Sequence, residues 1–182
     1  RHLYHDIRLV HWAGGNPFHH HQDLNRLRRA LAQPDTILVH DGNYVEAAPV
    51  VTNGKPLSII AEWKPDPQGP GVTIRPGLVI RNLAPGEFVI LENLDLRGAL
   101  GTATSEPTAG LVLRDNNSHV RAQGCAFSGG NGNSNAFPDG APGVLVEDSY
   151  SAGLTDCALI GGAGQFSPTI SIVTGDGGPG LS

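Results

Sequence analysis

Apolar and polar residues repeat along this chain in a phrase that returns at a nearly constant interval. Each copy opens on glycine and continues with three apolar residues, a charged residue, and Asn or Asp. The copies occupy residues 77–82, 110–115 and 143–148, which lie 33 residues apart, and residues 180–182 begin a fourth copy 37 residues later. A repeat of this length indicates one structural unit stacked on itself.

A second phrase follows the first within each unit, and its copies align at residues 89–98, 120–129 and 152–161. Apolar residues alternate along each copy, and the alternation slips once, beside residue types that suit a bend: Asn93, Gly124 and Asp156. Alternation of period two predicts strands with one buried face, and the slip predicts a bend between two short strands. Each unit then holds about three short strands.

Two all-β folds fit short strands that are separated by turns. A parallel β-helix lays one coil of three strands on the next at a strand spacing of roughly 4.8 Å. An antiparallel sandwich also has frequent turns, but it does not require equivalent residues to recur every 33 positions. The recurrence therefore favours a parallel β-helix, of about four coils.

The N-terminal part of the chain holds one amphipathic helical pattern, over residues 23–31. Leu24, Leu27 and Leu31 fall on one helical face, and Asp23 is a suitable N-cap. We expect this helix to cap the open end of the β-helix core.

The chain divides by pattern into two parts. Residues 1–34 are predicted to form an N-terminal strand and the capping helix, with the strand within residues 7–12. Residues 35–182 are predicted to form the β-helix. Because the chain begins with Arg1 and contains no Met, and because its last coil does not close, we expect the native β-helix to continue beyond this chain.

Composition limits the partners that the protein can have. The 182 residues carry a formal net charge of −5, whereas nucleic-acid binding requires a basic face. No apolar run approaches the length of a membrane span. The two cysteines, Cys125 and Cys157, occupy equivalent positions one coil apart, and we expect them to be free, buried thiols.

With these features the chain resembles the right-handed parallel β-helix proteins of the pectin-lyase-like superfamily. It is similar in particular to secreted bacterial β-helix-repeat proteins of unassigned function. The resemblance covers about residues 20–182, and residues 35–46 and 55–62 form an opening typical of them. It implies right-handed coils and an extracellular or cell-surface location. The superfamily includes lyases, hydrolases, methylesterases, adhesins and tailspikes, so the resemblance implies no single function.

Enzymes of this fold place acids and arginines on an outward polar face. The alternation predicts such a face here, with the candidate catalytic residues Glu92, Asp95, Arg97 and Arg121. A carboxylate can act as an acid or base or hold Ca²⁺, and arginine can bind a uronate carboxylate bidentately. The calcium-binding and paired-Asp arrangements of the known enzymes are not recognisable, which favours a non-catalytic protein.

The ligand-binding candidates are Arg121 and Gln123 on the outward face, and Phe137 and Phe166 in the connecting loops. These loops follow Gly98, Gly129 and Gly161, and they all leave the coils at the same corner. Loops stacked along one side form a natural binding face, although such a corner also tolerates insertions without function.

No metal site or cofactor is predicted, although Ca²⁺ binding by carboxylates is possible chemistry for such a face. The tract His19-His20-His21 has the composition of a metal-binding tract, but neighbouring residues of a strand point to opposite faces. We therefore base no site on it.

The sequence thus favours an extracellular or cell-surface β-helix module that binds polysaccharide or serves as an adhesin-like scaffold. The first alternative is a polysaccharide lyase or glycoside hydrolase that acts on anionic glycan. The second alternative is a structural protein that associates end to end through its open C-terminal coil.

Overall fold

The computed structural model describes residues 9–12, 35–62, 71–133, 136–164 and 181. The predicted capping helix lies outside these ranges. Within them, no helix is long and apolar enough to cross a membrane. The structure is all-β, and its strands are β1 (Leu9–Trp12), β2 (Thr36–Val39), β3 (Gly42–Val45), β4 (Val50–Asn53), β5 (Leu57–Ala61), β6 (Val72–Arg75), β7 (Leu78–Arg81), β8 (Phe88–Glu92), β9 (Leu94–Arg97), β10 (Leu111–Arg114), β11 (His119–Gln123), β12 (Ala126–Ser128), β13 (Val144–Glu147), β14 (Ser151–Thr155) and β15 (Ala158–Ile160).

The strands form three sheets in which every neighbouring pair is parallel. Sheet 1 has the order β1-β2-β5-β8-β11-β14, sheet 2 the order β3-β6-β9-β12-β15, and sheet 3 the order β4-β7-β10-β13. From β2 onward, consecutive strands of the chain lie in different sheets, and each pairs with its equivalent one coil away. The chain is therefore a parallel β-helix of about four turns, as the sequence predicts.

The register of the sheets follows the sequence repeat. Leu111 of β10 pairs with Leu78 of β7 on one side and with Val144 of β13 on the other. Val120 of β11 pairs in the same way with Val89 of β8 and Ala152 of β14. The interval of 33 residues is therefore the length of one coil in this part of the chain.

The bend inside the second phrase is a single residue in the left-handed backbone region. Asn93, Gly124 and Asp156 occupy this corner in successive coils, with φ of 57°, 62° and 52°. Asn and Asp tolerate this region better than other residues with a side chain, and glycine adopts it freely. The predicted bend is confirmed, and it turns the chain from sheet 1 into sheet 2.

The core lies inside the coils and consists of the alternating apolar residues of all three sheets. Large side chains that are fully buried include Ile80, Leu96, Leu113 and Phe127. Burying such a side chain stabilises a protein by roughly 1.5–3 kcal/mol relative to leaving it exposed. Stacking of equivalent apolar residues in successive coils therefore provides the main driving force for this fold.

The apolar runs at residues 37–39, 50–51, 57–60 and 72–74 predict one irregular first coil over residues 35–75, but the structure contains more than one coil there. Residues 35–75 contain the first coil, β2 to β4, and two strands of the second coil, β5 and β6. The sequence signal missed β3, because its opening beside Asp41 has the composition of a turn. Tyr44 of β3 packs against the core, and its hydroxyl donates a hydrogen bond to the His40 carbonyl at 2.8 Å.

The predictions for the N-terminal strand and for the cysteines can also be compared with the structure. A strand within residues 7–12 is confirmed as β1, which pairs with β2. Cys125 and Cys157 are free thiols, the first buried and the second half-buried. Burial raises the pKa of the Cys125 thiol to about 11, so this thiol stays protonated at neutral pH.

Candidate ligand-binding groove

Two insertion loops rise beside sheet 3 and enclose a groove of about 620 Å³. The loops are residues 98–110, between β9 and β10, and residues 129–143, between β12 and β13. We call the space between them the loop groove. Its lining residues are Glu106, Pro107, Thr108, Ala109, Val112, Arg114, Ala136, Phe137, Pro138, Asp139, Gly140, Ala141, Pro142 and Leu145.

Backbone hydrogen bonds hold the two loops to each other. In the first loop, the Thr108 N–H donates to the Ala99 carbonyl at 3.0 Å. In the second loop, the Ala141 N–H donates to the Gly130 carbonyl at 2.9 Å. The Gly130 N–H in turn donates to the Thr108 carbonyl at 2.9 Å, which joins the loops. The walls of the groove are therefore held together by backbone hydrogen bonds between loops of successive coils, as the strands of the sheets are.

Glycine is required where the loops approach most closely. A Cβ atom added to Gly130 would lie 1.6 Å from the Ala99 carbonyl oxygen, and one added to Gly129 would lie 1.9 Å from the Ala141 oxygen. No side chain fits at such distances, because both neighbours are backbone. The consecutive glycines of the second loop therefore permit the close contact that shapes the groove.

The floor of the groove is the outward face of sheet 3. Val112 of β10 pairs in register with Leu145 of β13, and both side chains are half-buried. At the ends of the same strands, Arg114 Nε donates to Glu147 Oε2 at 2.6 Å. Arg114 and Glu147 occupy equivalent positions of the sequence repeat one coil apart, which predicts a cross-coil ion pair, and the structure confirms it.

Phe137 and three prolines give the walls an apolar surface. The backbone of Phe137 is fixed by an antiparallel bridge to Asn133, in which the Phe137 N–H donates to the Asn133 carbonyl at 3.2 Å. The Phe137 side chain is half-buried. A ring that is held in place and partly exposed offers a flat apolar contact surface to a ligand.

The candidate catalytic residues lie on two different sheets. The alignment of the second phrase predicts that Glu92, Gln123 and Thr155 form one polar column. The structure confirms it, since Gln123 of β11 pairs with Glu92 of β8 and with Thr155 of β14. Arg121 pairs with Ile90 and is exposed.

Asp95 and Arg97 belong to β9 of sheet 2 and bind each other. The Arg97 guanidinium donates to Asp95 Oδ2 from Nε at 2.8 Å and from Nη2 at 2.6 Å, and Thr73 donates to the same oxygen at 3.3 Å. The hydrogen bond that Arg97 donates to Asp95 raises the pKa of Arg97, against the effect of burial. The sequence places Asp95 on the outward face of its strand, and there only 6% of it is exposed. Its carboxylate is covered because Arg97 and Thr73 bind it.

The ligand-binding candidates are separated as well. Phe137 lines the loop groove, whereas Arg121 and Gln123 lie on the outward face of sheet 1. Phe166 lies outside the described residues. Of the three candidates that the structure describes, it therefore associates Phe137 with the groove and does not bring Arg121 or Gln123 to it.

Sequence reasoning missed an exposed aromatic cluster on sheet 1. Phe88 is 54% exposed and Tyr150 74% exposed, and Phe88 pairs in register with His119. The His119 and Tyr150 rings meet edge to face with centroids 5.2 Å apart. Phe88, His119 and Tyr150 recur 31 residues apart, at or just before the start of successive sheet 1 strands, and this recurrence was the signal that could have found the cluster.

The described residues contain no group of three or more His, Cys, Asp or Glu side chains that could hold a metal ion. Asp115 and Asp148, which repeat at one corner, have φ of 54° and 45°. Their place in the fold is a left-handed turn after each sheet 3 strand, for which short polar side chains are suited.

A stretch of 45 residues is similar to part of several curated reductases. It is 62% identical to biotin sulfoxide reductase of Cereibacter sphaeroides and 51% identical to trimethylamine-N-oxide reductase of Haemophilus influenzae. It is 47% identical to dimethyl sulfoxide/trimethylamine N-oxide reductase of Cereibacter sphaeroides. Each match covers 25% of this chain, and the chain spans only 6% of the length of each reductase.

No family model and no solved structure matches the chain. The similarity to the reductases is too short to show their family. Membership of the pectin-lyase-like superfamily stays a prediction that is based on the repeat and on the parallel β-helix.

Proposed function

We propose that this protein is an extracellular or cell-surface β-helix module that binds polysaccharide in the loop groove without cleaving it. The observation that carries the proposal is the groove itself, which is enclosed by two loops joined through their backbones and contains Phe137. Its volume of about 620 Å³ lies within the range of small-ligand sites, roughly 300–1,000 Å³.

The surface of the groove suits a sugar chain chemically. Pyranose rings have apolar faces of C–H groups and polar edges of hydroxyl groups. Phe137 and the prolines can contact the apolar faces, while Glu106 and Asp139 can accept hydrogen bonds from hydroxyl groups.

Binding without cleavage is supported by the positions of the candidate catalytic residues. Glu92 and Arg121 lie on sheet 1, away from the pair formed by Asp95 and Arg97 on sheet 2. The Asp95 carboxylate is bound by Arg97 and is buried, so it is poorly placed to reach a polymer. The competing proposal is a scaffold or self-associating protein, and such a function does not require a ligand-binding groove.

The proposal is tested by affinity electrophoresis and titration calorimetry against a panel of soluble polysaccharides and their hexasaccharides. We expect at least one to bind and Phe137→Ala to weaken it by about tenfold or more, which corresponds to ~1.4 kcal/mol. Phe88→Ala is the matched control, since Phe88 is an exposed phenylalanine on sheet 1. It is expected to leave the affinity unchanged.

Reducing ends and unsaturated products are measured in the same samples. Product that accumulates with time would overturn binding without cleavage. A panel that gives no binding, or binding that Phe88→Ala removes and Phe137→Ala does not, would overturn the assignment of the groove.

A further inference from the structure

We infer that the outward face of sheet 1 binds a second copy of this chain and forms a weak, symmetric dimer. This inference goes beyond the proposed function, because it concerns another side of the molecule and does not depend on the loop groove. We call this surface the sheet 1 face, and its central side chains are Phe88, Ile90, Glu92, His119, Arg121 and Tyr150.

Exposed aromatic side chains lie close together on this face. Phe88 is 54% exposed and Tyr150 is 74% exposed. The Tyr150 N–H donates to the Asn116 carbonyl at 2.8 Å, and the Tyr150 ring contacts the His119 ring edge to face. A side chain that is already held in place loses little conformational freedom when it binds. Aromatic residues and arginine are also the residue types that protein interfaces favour, so these side chains indicate an interaction surface.

Two opposite charges on the same face have no partner among the described residues. Arg121 is exposed and Glu92 is half-buried, and neither side chain forms an ion pair or a hydrogen bond within that part of the chain. Arg121 pairs in register with Ile90, and Glu92 lies two residues further along β8. The two charged residues are therefore diagonal neighbours on adjacent strands, and the face is complementary in charge to itself.

A second copy that is related by a two-fold axis satisfies both charges at once. If the axis lies in the plane of contact and passes midway between the two charged residues, Arg121 of each copy meets Glu92 of the other. The ion pair then occurs twice, as the symmetry of such a contact requires. A different partner would need a base and an acid of its own at the same spacing.

The same arrangement brings apolar side chains together. Because the line from Arg121 to Glu92 runs diagonally across the strands, the strands of the two copies cross at a steep angle, which is a known way for sheets to pack. Phe88 of each copy then lies over the outward side of β2 and β5 of the other. Leu38 and Ile60 are the apolar residues there, and both are half-buried and outside the core.

The test is sedimentation equilibrium of the full chain over a wide range of protein concentration at physiological salt. We expect a reversible monomer–dimer equilibrium in which dimers dominate at about 0.5 mM, because a contact between single sheet faces is small and its affinity is therefore weak. Phe88→Ala is expected to raise the dissociation constant by about tenfold or more.

Charge reversal tests the reciprocal ion pairs directly. Arg121→Glu and Glu92→Arg should each raise the dissociation constant by about tenfold or more, because each places like charges against one another. The double variant Arg121→Glu/Glu92→Arg restores opposite charges and should return the dissociation constant to within about threefold of that of the unmodified protein.

Arg81→Glu is the matched control, since Arg81 is an exposed arginine at the end of β7, on sheet 3. It is expected to leave the dissociation constant unchanged. Circular dichroism melting of each variant shows whether the fold is retained.

Four results would overturn the inference: a chain that is still monomeric at about 1 mM, a dimer whose affinity Arg121→Glu leaves unchanged, single variants that the double variant does not rescue, and oligomers that grow beyond dimers. The last result would indicate end-to-end association instead. None of these results changes the binding of hexasaccharides in the loop groove, so the dimer can fail while the proposed function stands. Hexasaccharide binding that Phe88→Ala removes would assign the sheet 1 face to a glycan and overturn both.

Discussion

At the scale of single residues, the buried side chain of Asn116 forms hydrogen bonds to both neighbouring coils. Only 1% of it is exposed. Its Oδ1 accepts the Leu83 N–H at 3.2 Å, and its Nδ2 donates to the Ile80 carbonyl at 2.9 Å and to the Ser149 hydroxyl at 3.2 Å. The side chain thus satisfies backbone groups of the coil before it and a side chain of the coil after it.

Asn116→Ala is predicted to lower the free energy of unfolding by about 2–4 kcal/mol, because it leaves two buried backbone groups without partners. Chemical denaturation followed by circular dichroism measures this loss. Asn117→Ala is the control, since the neighbouring side chain is exposed, and it should change stability by less than about 0.5 kcal/mol. Equal effects of the two substitutions would contradict the role assigned to Asn116.

The positions of the corners could be predicted from the sequence because few residue types suit them. At the bend between sheets 1 and 2, Asn93, Gly124 and Asp156 all have positive φ, and only a few residue types tolerate that conformation. The burial of Asp95 could not be predicted from the sequence. The alternation of apolar residues places its side chain on the outward face but does not show which neighbours cover it. Its cover is Arg97, two positions along the same strand.

At the scale of elements, the insertion loops act as an extension of the sheets. The Gly98 N–H donates to the Ser128 carbonyl at 2.8 Å, and the Gly162 N–H donates to the Ala141 carbonyl at 2.8 Å. Successive loops are therefore stacked like successive strands, and the shape of the loop groove depends on this contact.

Gly130→Ala is predicted to weaken glycan binding by about tenfold, because the new Cβ would push the second loop away from Ala99. Far-ultraviolet circular dichroism should show that the β-helix remains. Gly153→Ala is the matched control, since its Cβ would meet only Arg121 Cγ at 3.9 Å. Unchanged affinity in Gly130→Ala would show that the groove does not depend on this contact.

The sequence predicted the regular strands and their register because equivalent residues recur once per coil. It also placed the loops at one corner, and Phe137 within them. It could not predict the loop groove, since the groove depends on backbone contacts such as that between Gly130 and Thr108. Nor could it separate Phe137 from Arg121, because that requires knowing which sheet faces which side.

At the scale of the whole molecule, the outward faces of the different sheets carry different kinds of side chain. Sheet 1 presents exposed aromatic residues together with Arg121, and sheet 3 forms the floor of a groove with acidic residues at its walls. In a stacked fold each coil contacts mainly its neighbours, so one side can carry a site while the shared core maintains the fold.

The measurement that tests this account most directly is an NMR titration of the isotopically labelled protein with the hexasaccharide that binds best. The account predicts chemical-shift changes at residues 106–109 and 137–142, which line the loop groove, and none along His119–Gln123 of β11. Shift changes concentrated on β11, with the groove residues unaffected, would contradict the assignment of the groove as the polysaccharide site.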